Sequence, residues 1–150
     1  MRIVIQRVQE ASVSIEGKLN ASIQKGFLVL LGIGEEDTEE DADYLVQKLC
    51  QMRVFADEGG KMNLDIAQVN GALLVVSQFT LHASTRKGNR PSFIRAARPE
   101  KAIPLYDYFI TRAEQVLNKP CQSGTFGADM QISLVNDGPV TILMDSKNKE

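Results

Sequence analysis

The sequence predicts an α/β (α+β) chain built on a mixed, curved, barrel-like β-sheet of about seven strands with two main helices. Three observations lead there. Residues 27–33 and 71–79 are almost uninterrupted apolar runs, as strands buried on both faces are. Several other stretches alternate apolar with polar residues. Two segments repeat apolar residues at helical spacing, without the regular βαβ alternation of a doubly wound sheet. At 150 residues, 43% hydrophobic and 24% charged, the chain suits one domain over 1–150. A chain of that length buries about 70% of its unfolded surface and needs no disulfide or metal to hold a core.

From Arg2 to Ile15 apolar residues alternate or nearly so, and Gly17 supplies a turn before a short strand at 19–23, which predicts a hairpin. The run at 27–33 then reads as a central strand. Asp37 or Thr38 can cap a helix whose Ala42, Leu45, Val46, Leu49 and Cys50 fall on one face, which places Cys50 in the core. Arg53-Val54-Phe55 looks like a short strand ended by Asp57-Glu58-Gly59-Gly60. The second buried strand, 71–79, runs into polar residues. A second helix begins near Pro99 or Pro104, with Leu105, Tyr108, Phe109, Ala113 and Val116 on one side and Arg112 at the edge of that stripe, and stops before Pro120. Residues 130–135 alternate, Asn136 to Pro139 break the pattern, and 140–144 resume it. The last six residues read as a frayed tail.

Charge is segregated along the chain. Seven acids occupy nine positions from Glu35 to Asp43, so a chain whose net charge is −2 is mildly basic everywhere else. The acidic run suits a helix N-terminus. Between Arg86 and Lys101, six basic residues face the single acid Glu100, a composition that fits phosphate contact or a solvated basic loop. No segment approaches the ~20 apolar residues of a membrane span, and the opening residues alternate like a strand rather than forming a signal core. The cytoplasm is the expected compartment, with no membrane partner.

Many chemistries find no footing. No GxxxxGK[ST] loop is present, and Gly32-Ile33-Gly34 lacks the third glycine of a dinucleotide fingerprint. Without a CxxC or HExxH, and with His82 as the only histidine, neither a metal nor a cofactor is expected. His82 has no obvious carboxylate to orient it and reads as a solvated loop histidine, so a Ser-His triad is disfavoured.

Two segments stand apart: Ser77-Gln78-Phe79-Thr80-Leu81 at the end of a buried strand, and Asn136-Asp137-Gly138-Pro139-Val140-Thr141 between two C-terminal strands. The first groups backbone N–H donors and short polar side chains where an oxyanion could be held, with Phe79 N–H the leading donor. It could equally be a strand end with a satisfied glutamine. Thr80 is a nucleophile by type, but no base lies beside it, so it is assigned a positioning role. The second segment could be an ordinary Gly-Pro turn. Together with Lys87-Gly88-Asn89-Arg90-Pro91-Ser92-Phe93, residues 59–64 and the opening 13 residues, these motifs closely resemble the D-aminoacyl-tRNA deacylase family, formerly D-tyrosyl-tRNA deacylase, over residues 1 to about 145.

The resemblance implies that family's fold and a homodimer that hydrolyses the ester joining a D-amino acid, or mischarged glycine, to the terminal adenosine of tRNA. Ser77, Gln78, Phe79 and Thr80 would form the catalytic strand end. Gly138 and Pro139, joined by a cis bond, would reach into the partner subunit's site as a chirality gate, with Arg7 holding them. Two rigid carbonyls beside the substrate α-carbon would exclude an L side chain while admitting hydrogen or a D side chain. Lys87, Arg90, Phe93, Phe126 and Met130 would lie at the 3′-adenosine, with core packing the equal alternative for Phe93. The 2′-hydroxyl of the terminal ribose would assist catalysis. Two alternatives remain: a non-catalytic nucleic-acid-binding homodimer of the same fold, and a sister deacylase for L-alanyl-tRNA.

Overall fold

In chain order the elements are β1 (Arg2–Ile15), β2 (Lys18–Ile23), β3 (Gly26–Gly32), α1 (Glu39–Gln51), β4 (Phe55–Ala56), β5 (Met62–Leu64), β6 (Ala72–Ser77), a 3-10 turn (Phe79–His82), α2 (Pro99–Leu117), β7 (Gln122–Ser123) and β8 (Met130–Asp145). They are taken from a computed structural model that describes residues 1–150. β1 organises the sheet. Its first half pairs antiparallel with β3, from Arg2 opposite Gly32 to Val8 opposite Gly26, and its second half pairs antiparallel with β2. Its other edge carries β8 from end to end. β6 lies parallel to β3 and β7 parallel to β6, giving the order β2-β1-β3-β6-β7. Asn20 Nδ2 on β2 donates to the Ser123 carbonyl on β7 at 3.2 Å, so the ends of this order meet and the sheet curls almost closed.

Strand alternation distributes two cores. Phe27, Val29 and Leu31 of β3, with Ile3 and Ile5 of β1, face α1 and α2 through Leu45, Leu49 and Phe109. Leu28, Leu74 and Val76 point the other way, into the concave side with Val8, Val13 and Ile23. That is why β3 and β6 read as unbroken apolar runs: both their faces are covered. Each large apolar side chain fully buried this way contributes about 1.5–3 kcal/mol.

Thr38 is the cap of α1, and its N–H donates to Asp41 Oδ2 at 2.9 Å, the reach-back half of a capping box. Asp37 instead accepts from the Gly34 N–H (2.6 Å) and the Met1 amine (2.5 Å). α2 starts with Pro99 in its first turn and ends where Asn118 turns left-handed at φ 49°. Arg112, at the edge of the apolar stripe as expected, bridges to Asp43 of α1 at 2.7 Å. No helix is long and apolar enough to cross a membrane.

The structure departs from the sequence reading in four places. The two C-terminal strands are one, β8, because the break expected at Asn136 to Pro139 is absorbed as register shifts against β1 around Val8. The short strand begins at Phe55 and pairs with β5, which was not foreseen, and β7 was not foreseen either. The tail is tied down where it starts: Ser146 is buried, its N–H donates to the Met1 carbonyl at 2.9 Å, and Lys147 bridges to Asp41 at 2.8 Å. His82 is buried rather than solvated, at 8% exposure.

Candidate active site

β6 ends at Ser77, level with Leu31 of β3, and the chain turns at once into the 3-10 turn. The turn is held from below by backbone. Gln78 N–H donates to the Leu31 carbonyl (2.8 Å), Leu81 N–H to the Gln78 carbonyl (3.2 Å) and Ala83 N–H to the Thr80 carbonyl (3.0 Å). Bonds of this i to i+3 pattern give no partner within the turn to the N–H groups of Phe79 and Thr80, which open it. Gln78 Nε2 donates to Thr80 Oγ1, so the threonine hydroxyl accepts from an amide instead of facing a base.

Arg2, which the sequence does not mark, and His82, which it marks only as a solvated loop residue, brace this turn. Arg2 Nη1 donates to the Leu81 carbonyl at 2.9 Å while its Nε bridges to Asp145 at 2.7 Å. The His82 ring packs behind the turn, where β-carbons added to Gly32 and Gly34 would come within 3.3 and 3.1 Å of it. Burial pushes the imidazole below its ordinary pKa, against a hydrogen bond to the Gly32 backbone that favours the charged form. Its Nε2 is buried without a protein partner. No sequence signal gives these contacts, because each joins residues far apart in the chain.

Above the turn lies an apolar cavity of about 260 Å3, rimmed by Ser77, Gln78 and Phe79 and closed by Leu31, Phe126 and Met130 among others. Phe126 is set by Tyr106 of α2, whose ring meets it edge-on at 5.8 Å and whose hydroxyl donates to the Val75 carbonyl at 2.9 Å. Burial pushes that phenol up to about 12, so it acts as a fixed donor. Thr80, Lys87, Arg90 and Phe93 lie outside the cavity lining. Phe93 is one step removed: its ring meets that of Phe79 edge-on, centroids 5.0 Å apart at 76°. The cysteines offer no nucleophile, since burial pushes both Cys50 and Cys121 up to about 12.

The second motif is built as a braced loop within β8. Asn136 closes it, its Oδ1 accepting from Val140 N–H (3.1 Å) and its Nδ2 donating to Thr141 Oγ1 (3.0 Å). Arg7, mostly buried on β1, donates from Nε to the Asp137 carbonyl at 3.0 Å and from Nη1 to the Val54 carbonyl. Asp137 Oδ2 lies 3.5 Å from the same Nε. Gly138 has φ +128°, the Gly138-Pro139 peptide is cis, and both residues are exposed.

The chain does not bring its two motifs together. Arg7 pairs with Phe27 at the start of β3, while Ser77 is level with Leu31 near its end. Four residues of strand separate those levels, or about 13 Å at 3.3 Å per residue.

Comparison with known proteins gives consistent likenesses. Residues 4–145 match the family model described as D-Tyr-tRNA(Tyr) deacylase. A D-aminoacyl-tRNA deacylase of Cytophaga hutchinsonii is 62% identical and one of Flavobacterium johnsoniae 57%, each alignment covering 100% of both chains. Among solved structures, a c-Myc DNA unwinding element binding protein superposes with a TM-score of 0.92 at 39% identity, covering 97% of this chain and 98% of that one. A probable eukaryotic D-amino acid tRNA deacylase superposes with a TM-score of 0.82 over 95% of this chain and 97% of that one; at 17% identity it supports the fold.

Proposed function

We propose that this chain, which belongs to the D-Tyr-tRNA(Tyr) deacylase family, hydrolyses the ester between a D-amino acid and the terminal adenosine of tRNA, as a homodimer in the cytoplasm. The observation that carries this reading is the Ser77-Gln78-Phe79 rim of a small apolar cavity lined by Phe126 and Met130. It provides an apolar seat for a nucleoside beside a strand end rich in donors. The terminal adenosine occupies the cavity, and its ester carbonyl faces Phe79 N–H.

Water attacks the carbonyl carbon, the oxyanion forms against the N–H of Phe79, and the ribose oxygen leaves with a proton. The chain presents no activated nucleophile: Thr80 Oγ1 is engaged with Gln78, and desolvation holds both thiols up at about 12. This fits water as the nucleophile and the 2′-hydroxyl of the terminal ribose as the group that assists it, with Thr80 positioning Gln78.

Chirality is set by rejection. The Gly138 and Pro139 carbonyls of one subunit stand beside the substrate α-carbon in the other, exclude an L side chain, and admit a D side chain or the hydrogen of glycine. The ~13 Å of strand between the level of Arg7, which holds the loop, and that of Ser77 supports a site completed by a second copy. Exposed Val135 and Leu143 on β8, at 44% and 67%, are apolar surface that such a partner would cover. The test is hydrolysis of one tRNA charged in parallel with D-tyrosine and L-tyrosine, with chelator present. Rapid release of D-tyrosine alone supports the reading, and equal rates would remove it.

The likeness to a DNA unwinding element binding protein favours one second reading, a nucleic-acid-binding homodimer without turnover. Its mark is retained tRNA binding with neither ester hydrolysed.

A further inference from the structure

Six cations lie between Arg86 and Lys101, and five of them, Arg86, Lys87, Arg90, Arg95 and Arg98, are exposed. The five ion pairs of the chain involve none of these six. The segment is nevertheless shaped. Reciprocal backbone bonds between Ser84 and Ser92 (2.8 and 2.9 Å) close the loop that carries Arg86, Lys87 and Arg90. Ala97 N–H donates to the Ile33 carbonyl (2.9 Å) and the Arg95 carbonyl accepts from Glu35 N–H (3.1 Å), which pins the loop's return beside the cavity.

Apolar surface joins this cationic loop to the cavity. Phe79, on the cavity rim, is 54% exposed; Phe93, in edge contact with it, is 37% exposed; Ile94 is 89% exposed. At about 260 Å3 the cavity is below the 300–1,000 Å3 of pockets that enclose drug-sized ligands. It has space for one terminal nucleoside, and whatever precedes that nucleoside must leave across the rim.

We propose that the track from Phe79 over Phe93 to the 86–98 loop carries the single-stranded nucleotides preceding the terminal adenosine. The Phe79 and Phe93 rings supply a stacking face for the next base, and the unpaired arginines take the phosphates. This inference rests on the deacylase reading. An exposed aromatic pair leading to unpaired cations is the arrangement that binds single-stranded nucleic acid through base faces and backbone charge. It also gives a chain of net charge −2 a local site for a polyanion. Lys87, Arg90 and Phe93 then act on nucleotides upstream of the adenosine rather than on the adenosine itself.

The test compares D-tyrosyl-tRNA with D-tyrosyl-adenosine, the ester of the terminal nucleoside alone, on the intact protein. A single-stranded track engaging three phosphates gives a log–log salt slope near −2, so kcat/KM on the tRNA falls roughly 20-fold between 50 and 200 mM salt. The adenosine ester should show almost no salt dependence. In Arg86→Gln/Arg95→Gln the slope on tRNA should become shallower by about 0.7 for each phosphate no longer neutralised, and the preference for tRNA over the adenosine ester should shrink. Equal salt slopes for the two substrates in the unmodified protein overturn the proposal without any variant. An unchanged preference in the double variant overturns it too, as does a change confined to the oligomeric state, which would assign the loop to a protein interface. If neither ester is hydrolysed, the deacylase reading fails and this inference with it.

Discussion

Gly138→Ala is the perturbation whose cost the structure specifies most closely. A β-carbon at Gly138 would lie 2.9 Å from Arg7 Nη2, 2.9 Å from Val140 Cγ2 and 3.3 Å from Val140 N, where ordinary contact begins near 3.4 Å, so a neighbour must yield by about 0.5 Å. The guanidinium is the softer neighbour. Moved by that amount, its 3.0 Å bond from Nε to the Asp137 carbonyl stretches to the limit of hydrogen bonding. A hydrogen bond to a charged group is worth about 1.5–3 kcal/mol. Alanine at φ +128° adds about 1–3 kcal/mol of backbone strain. Even the low end of the combined cost, about 2.5 kcal/mol, corresponds to roughly a 70-fold shift between the native loop and a displaced one. The assay pairs thermal unfolding with parallel hydrolysis of D-tyrosyl- and L-tyrosyl-tRNA. The variant should stay folded with a lowered Tm, and its D-over-L ratio should fall by ~10-fold or more. An unchanged ratio in the folded variant would refute the claim that the Arg7-braced loop sets chirality.

The remaining predictions concern the Ser77 to Thr80 turn and its support. In Gly32→Ala the new β-carbon would meet the Gln78 carbonyl and Leu81 Cβ at 2.9 Å; displacing the turn should lower kcat by ~10–100-fold, and wild-type kcat would show that the turn's position is unimportant. Thr80→Ala should keep substantial activity, whereas complete loss in a folded protein would make Thr80 the nucleophile. Acidification should destabilise the fold in two stages. His82 has a lowered pKa when folded, so the unfolded chain takes up its proton first, and stability should decline as pH falls below the ordinary 6.5. For Asp41, burial raises the pKa, but Lys147, Ser146 and the Thr38 N–H outweigh it and hold the carboxyl at about 2, so its contribution is lost between 3.8 and about 2. His82→Leu should abolish the first stage, and a wild-type stability flat from pH 7 to 5 would contradict it.

What the sequence revealed and what it concealed follow from contact range. The helices were legible because one apolar face repeats locally, as Leu45, Leu49 and Phe109 illustrate. β3 and β6 were legible because both their faces are buried. The Ser77 to Thr80 turn and the Gly138-Pro139 loop were legible as motifs. β5 and β7 were not, since two or three residues carry no periodicity. The continuity of β8 through Asn136 to Pro139 depends on β1 accommodating the irregularity, which turn residues alone cannot reveal. The bracing of the turn by Arg2 and His82, and the anchoring of Arg7 by the Val54 carbonyl, join residues distant in sequence.

If selection works by excluding an L side chain rather than by gripping a D one, a single methyl group decides the rate. Glycyl-tRNA and L-alanyl-tRNA, prepared on the same tRNA and compared at equal concentration, differ by the one group that the carbonyls of Gly138 and Pro139 would exclude. Glycine should be released rapidly while L-alanine is spared by ~100-fold or more, a difference of about 2.7 kcal/mol in transition-state free energy. Comparable rates for the two esters, fast or slow, would contradict it.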